Sequence, residues 1–116
     1  MQFVHDFAFV FVFVLVGGAA ACQATDVSRD VGARCDTNSE CNEECLTGGS
    51  WPGGFCTLLC DSDADCPTAT RCIDEAGGGV CAFSCAADPS CAFLGAYTCE
   101  QRDSHGGGAK VNACRG

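Results

Sequence analysis

Apolar residues are spread very unevenly along this chain. Phe7 to Val16 is an unbroken apolar run, and Gly17-Gly18-Ala19-Ala20-Ala21 follows it. Beyond Cys22 the large apolar positions are sparse: Leu46, Trp51, Phe55, Leu58, Leu59, Ile73, Phe83, Phe93, Leu94, Tyr97 and some valines. They predict no helix beyond a single turn, near Ser39–Cys45 or Ala86–Cys91. What recurs instead is cysteine. Cys35, Cys41, Cys45 and Cys56 form one set, Cys60, Cys66, Cys72 and Cys81 a second, and Cys85, Cys91, Cys99 and Cys114 a third. The sets begin 25 residues apart each time, at 35, 60 and 85, and a fixed period of this size marks a repeat architecture.

Within each set the long gap between the third and fourth cysteines holds adjacent glycines: LTGGSWPGGF, IDEAGGGV and EQRDSHGGGAKVNA. Glycine supplies the positive φ that a tight hairpin needs. One short hairpin per module follows. The clearest pairs Thr70–Ile73 with Val80–Phe83, and another pairs Tyr97–Cys99 with Val111–Cys114. The five-residue gaps DTNSE, DSDAD and AADPS carry side chains that cap their own backbone, so they read as tight loops. The fold class is therefore small and disulfide-rich: three tandem four-cysteine modules of hairpins and loops, with almost no helix. The modules span residues 35–59, 60–84 and 85–116. Only three residues separate Cys56 from Cys60 and Cys81 from Cys85, so neighbouring modules must touch, as a short rod or one body.

Composition adds the compartment. Thirteen cysteines in 116 residues indicate a disulfide scaffold, which persists where thiols stay oxidised. With so little else to bury, crosslinks must replace part of the core, at roughly 2–4 kcal/mol each. Confining bonds to modules leaves three pairings per module. First-to-third with second-to-fourth is favoured, because the second bond then clamps the hairpin base to the loop before it. This joins Cys35–Cys45, Cys41–Cys56, Cys60–Cys72, Cys66–Cys81, Cys85–Cys99 and Cys91–Cys114, with bonds across the three-residue junctions left open.

Residues 1–21 read as an export signal, an apolar run closed by small residues and too short for a comfortable membrane span. Residues 1–6 contain no Lys or Arg, which points to a start further upstream. Cys22, directly after Ala19-Ala20-Ala21, resembles the lipobox cysteine of bacterial lipoproteins. That family favours Leu where Ala19 stands, so plain cleavage after Ala21 or Ala24 stays open. Cys22 is also the cysteine left over from three sets of four, and lipidation accounts for it. Gln23 in second place resembles an outer-membrane destination. Residues 22–34 then read as the lipidated cysteine and a flexible tether.

The net charge is −9, and −8 once residues 1–21, charged only at Asp6, are removed. An acidic surface argues against nucleic acid as partner. The C-x5-C-P-x4-C-x8-C spacing from Cys60 to Cys81, with its DSDADCP segment, resembles the N-terminal cysteine-rich domain of Dickkopf proteins and small repeats of bacterial surface lipoproteins. The resemblance implies a disulfide-rich fold and carries over no binding residues.

Candidate chemistry is thin. No C-x2-C exists for zinc, an iron–sulfur cluster or thiol redox work. Asp61, Asp63 and Asp65 alternate like the start of a calcium loop, but Cys66 and Cys72 stand where its glycine and bidentate acid belong. The same positions in the flanking modules, Asp36/Asn38/Glu40 and Ala86/Asp88/Ser90, decay toward neutrality, so capped turns are the plainer use. Ser104-His105 lies in a glycine-rich gap without a catalytic frame. Trp51-Pro52, flanked by glycines, is the candidate ligand anchor, against the alternative that Trp51 folds back as a small core. No cofactor is expected. The reading is a non-enzymatic, exported binding or structural module. It is held to the membrane by a lipid and meets a protein or glycan at the cell surface. The rival is a secreted inhibitor or toxin-like effector acting through Leu46–Phe55 or Glu100–Ala113.

Overall fold

The computed structural model describes residues 27–75 and 77–116. The apolar run, the small-residue stretch and Cys22 lie outside them. Each module begins with a loop carrying a 3-10 segment: Asn38–Glu40 and Asp63–Asp65 lie within the five-residue gaps, and Asp88–Leu94 runs on past Cys91. Each then forms an antiparallel hairpin. β1 (Glu44–Leu46) pairs with β2 (Phe55–Thr57), β4 (Thr70–Glu75) with β5 (Gly78–Phe83), and β6 (Thr98–Arg102) with β7 (Val111–Arg115). The junction strand β3 (Leu59–Cys60) adds to β5, giving the middle sheet the order β3-β5-β4.

The register explains the crosslinks. Cys45 faces Cys56, Cys72 faces Cys81, and Cys99 faces Cys114 across the three ladders. These facing cysteines are not bonded to each other. The third of each set joins the first, as Cys35–Cys45, Cys60–Cys72 and Cys85–Cys99. The fourth joins the second, as Cys41–Cys56, Cys66–Cys81 and Cys91–Cys114. Both strands of each hairpin are thus tied to the loop that precedes them. An isolated two-stranded hairpin is marginal in water, and two bonds per hairpin remove that weakness.

The modules share one core. Phe55 is fully buried and touches an aromatic ring from every module: Trp51 at 4.8 Å, Phe83 at 6.2 Å and Tyr97 at 5.9 Å between centroids. Ile73, Val80 and Leu94 close around them with the buried disulfides. The three modules therefore pack as one body, with more of an aromatic core than their sparse apolar positions suggest. Polar bonds cross the same seams. Buried Thr57 donates its hydroxyl to the Cys81 carbonyl at 2.8 Å. Arg115 donates to Glu75 at 2.8 and 3.2 Å while its guanidinium lies 5.8 Å from the Trp51 ring.

The expected tether is corrected from Val27 onward. Val31 is 2% exposed and belongs to the shared core. Gly32 N–H donates to the Cys56 carbonyl at 2.8 Å, and Cys56 N–H donates to Ala33 at 2.9 Å. The reason is the outer edge of β2, whose unpaired backbone groups take this segment as a partner. The outer edge of β4 is treated alike: Asp74 N–H donates to Asp103 and His105 N–H to Cys72, at 2.9 and 3.0 Å.

Candidate functional site

The acidic loops are built for backbone amides. Glu40 accepts the N–H groups of Asp36 at 2.8 Å and Thr37 at 3.1 Å. Asp65 does the same for Asp61 at 2.9 Å and Ser62 at 3.3 Å. The Asp36 amide, then that of Thr37, hold the Glu40 carboxyl below the ordinary glutamate range. A second repeat reaches the hairpins. Asn38, Asp63 and Asp88 each accept the backbone N–H of the third cysteine of their own module, at 2.9, 2.8 and 2.9 Å. These three stand 25 residues apart, so the periodicity carried the signal all along. In the alternating set Asp61, Asp63 and Asp65, two of the three carboxylates are engaged within the fold itself. Asp63 serves Cys72 N–H and Arg71, and Asp65 serves two amides. Among the described residues, the groups of metal-ligating side chains that gather are cysteine triplets already in disulfides.

Trp51 is not an exposed anchor. It is 4% exposed, against Phe55 and Tyr97 and beside Arg115. Its loop is drawn inward by Gly116 N–H donating to Ser50 at 2.8 Å and Tyr97 O–H donating to Pro52 at 3.1 Å. Burial pushes the Tyr97 phenol up to about 12.

Three surface hollows remain, two of them adjoining at Leu59. One is an open groove of 450 Å³ between β3, the β4–β5 turn and His105, with Asp61 and Asp65 on its wall. Leu59, 55% exposed, stands on its lip and also borders a second hollow of 200 Å³ beside Leu46 and Glu75. Gly79 forms the floor, and the approach is close. A Cβ there would sit 2.4 Å from the Cys60 carbonyl, 2.6 Å from the His105 ring and 2.7 Å from Cys72 Sγ. His105 Nδ1 is hydrogen-bonded to Asp74. Ser104 joins β4 as a bridge to Ile73, and among the described residues no hydroxyl bonds the His105 ring. A nucleophilic relay needs that bond, so the pair acts as a strap on β4.

The third is a cleft of 70 Å³ between residues 27–34, the Trp51-Pro52 loop and the Asp88–Leu94 segment, lined by Arg34, Phe93 and Tyr97 among others. Sequence reasoning missed it, because its walls come from distant parts of the chain. Set against family models, curated proteins and solved structures, the chain matches none. No helix among the described residues is long and apolar enough to cross a membrane.

Proposed function

We propose that the protein is an exported, non-catalytic binding module, held at the cell envelope by a lipid on Cys22 and facing a protein or glycan partner. The observation that carries this reading is the bonding pattern. All twelve cysteines beyond Cys22 are paired, in the same order in every module. Such bonds form and persist outside the reducing cytosol. They hold short hairpins rigid enough to present surface features with little loss of entropy on binding. The groove at Leu59 supplies one such feature and exposes an apolar side chain beside carboxylates.

Intact-mass measurement of the exported protein, with and without reductant, tests the reading. Expected are a chain starting at Cys22, acyl mass on it, and twelve hydrogens regained on reduction. A mature chain beginning at Cys22 without acyl mass, or at Thr25, would remove the anchor and favour a diffusible inhibitor. Free thiols among the twelve would remove the module itself.

A further inference from the structure

Most basic side chains of the described residues are committed. Arg71 pairs with Asp63, Arg102 and Arg115 with Glu75, and Lys110 with Asp103, while Arg29 donates to the Ser39 carbonyl. Arg34 is the exception, with no hydrogen bond or ion pair among the described residues. Its guanidinium is nevertheless placed. A Cβ on Gly53 would lie 2.3 Å from Nη1, and one on Gly95 3.1 Å from Nη2. Both glycines have positive φ, at 79° and 95°, and the exposed Arg34 guanidinium passes close to both.

This cation lines the 70 Å³ cleft together with Val27, Pro52, Phe93, Leu94 and Tyr97. Three large apolar side chains are exposed among the described residues, and two of them, Val27 at 45% and Phe93 at 37%, are in this cleft. Single exposed apolar residues are ordinary, but two flanking an uncommitted guanidinium form a matched pair of features. A guanidinium binds a carboxylate through two parallel N–H donors. The net charge of the whole chain, −9, disfavours polyanions as ligands. A cleft of 70 Å³ is too small for a long acyl tail, which it would leave in water.

We infer that this cleft captures the free C-terminal carboxylate of a peptide ending in an apolar residue, with the carboxylate on Arg34 and the terminal side chain against Phe93 and Val27. The inference rests on the binding-module reading and names a partner class for it. Its failure is separable, since the mass measurement above tests export, anchoring and oxidation without any peptide.

The test is an NMR titration of the oxidised chain with acetyl-Gly-Gly-Leu as free acid, its C-terminal amide, acetyl-Gly-Gly-Lys as free acid, and octanoate. The free-acid leucine peptide is expected to shift the Gly53, Gly95 and Tyr97 amides saturably. The amide should bind about tenfold more weakly or worse, the loss expected for one charge-assisted contact, and the lysine-ended acid should also bind more weakly because it loses the apolar contact with Phe93 and Val27. Arg34→Gln should lose the same factor with all six bonds retained, and Phe93→Gln approaches the cleft from its apolar side should the first variant not fold. Equal binding of acid and amide, unchanged binding by both variants, octanoate outcompeting the peptide, or no saturable shift up to roughly 10 mM peptide would each overturn the inference.

Discussion

Trp51→Ala separates a core role from a binding role. Trp51 is 4% exposed and contacts Phe55, Tyr97 and Arg115. Removing a buried aromatic to alanine costs roughly 3–5 kcal/mol, and area bookkeeping for 150–250 Å² of burial reaches a similar upper figure. The Arg115 guanidinium over the ring adds about 0.5–1 kcal/mol. A loss of about 4 kcal/mol in a domain of this size corresponds to a melting temperature lower by roughly 20 °C. The assay is thermal unfolding under non-reducing conditions, followed by far-ultraviolet circular dichroism so that the lost indole does not bias the signal. Trp51→Phe, which keeps most of the ring, should recover more than half the loss. A Trp51→Ala protein melting within a few degrees of the parent would refute the argument, and Trp51 would return as a surface anchor.

Other changes bear on particular contacts. Gly79→Ala places a methyl against the Cys60 carbonyl and Cys72 Sγ, so correctly oxidised protein should fail to accumulate; Gly49→Ala, which meets nothing within 4 Å, should be neutral in the same expression and thiol assay. Ala69 has φ of 70°, and Ala69→Gly should raise stability by about 0.5–1 kcal/mol in denaturant unfolding; no gain would mean the turn is unstrained. Tyr97 is the single tyrosine, so absorbance at 295 nm should report one phenol ionising near 12. Because its folded value is raised, its contribution to stability is full below about pH 10 and fades as pH rises toward 12. A midpoint near 10 in folded protein would show that Tyr97 is not buried.

The hairpins and their bonds were legible because two local signals agree. Paired glycines mark each turn, and the cysteines flanking them fall in register across the ladder. The tight acidic loops were legible too, although the specific duty of Asn38, Asp63 and Asp88 needed the geometry of the third cysteine's amide. What escaped was everything decided between modules. Phe55 meets Phe83 and Tyr97, residues 28 and 42 positions away, and no local period encodes such meetings. The docking of Gly32 and Ala33 on β2 escaped for the same reason: a polar, cysteine-free segment gives no hint that a sheet edge awaits it. Trp51 was ambiguous in its glycine-flanked loop until its neighbours were known.

Disulfide mapping of the purified protein, by proteolysis without reduction, tests the central claim most directly. The account predicts linked peptides containing Cys35–Cys45, Cys41–Cys56, Cys60–Cys72, Cys66–Cys81, Cys85–Cys99 and Cys91–Cys114, and no thiol among the twelve. A bond between modules, such as Cys56 to Cys60, or reactive thiols within any set of four, would contradict it.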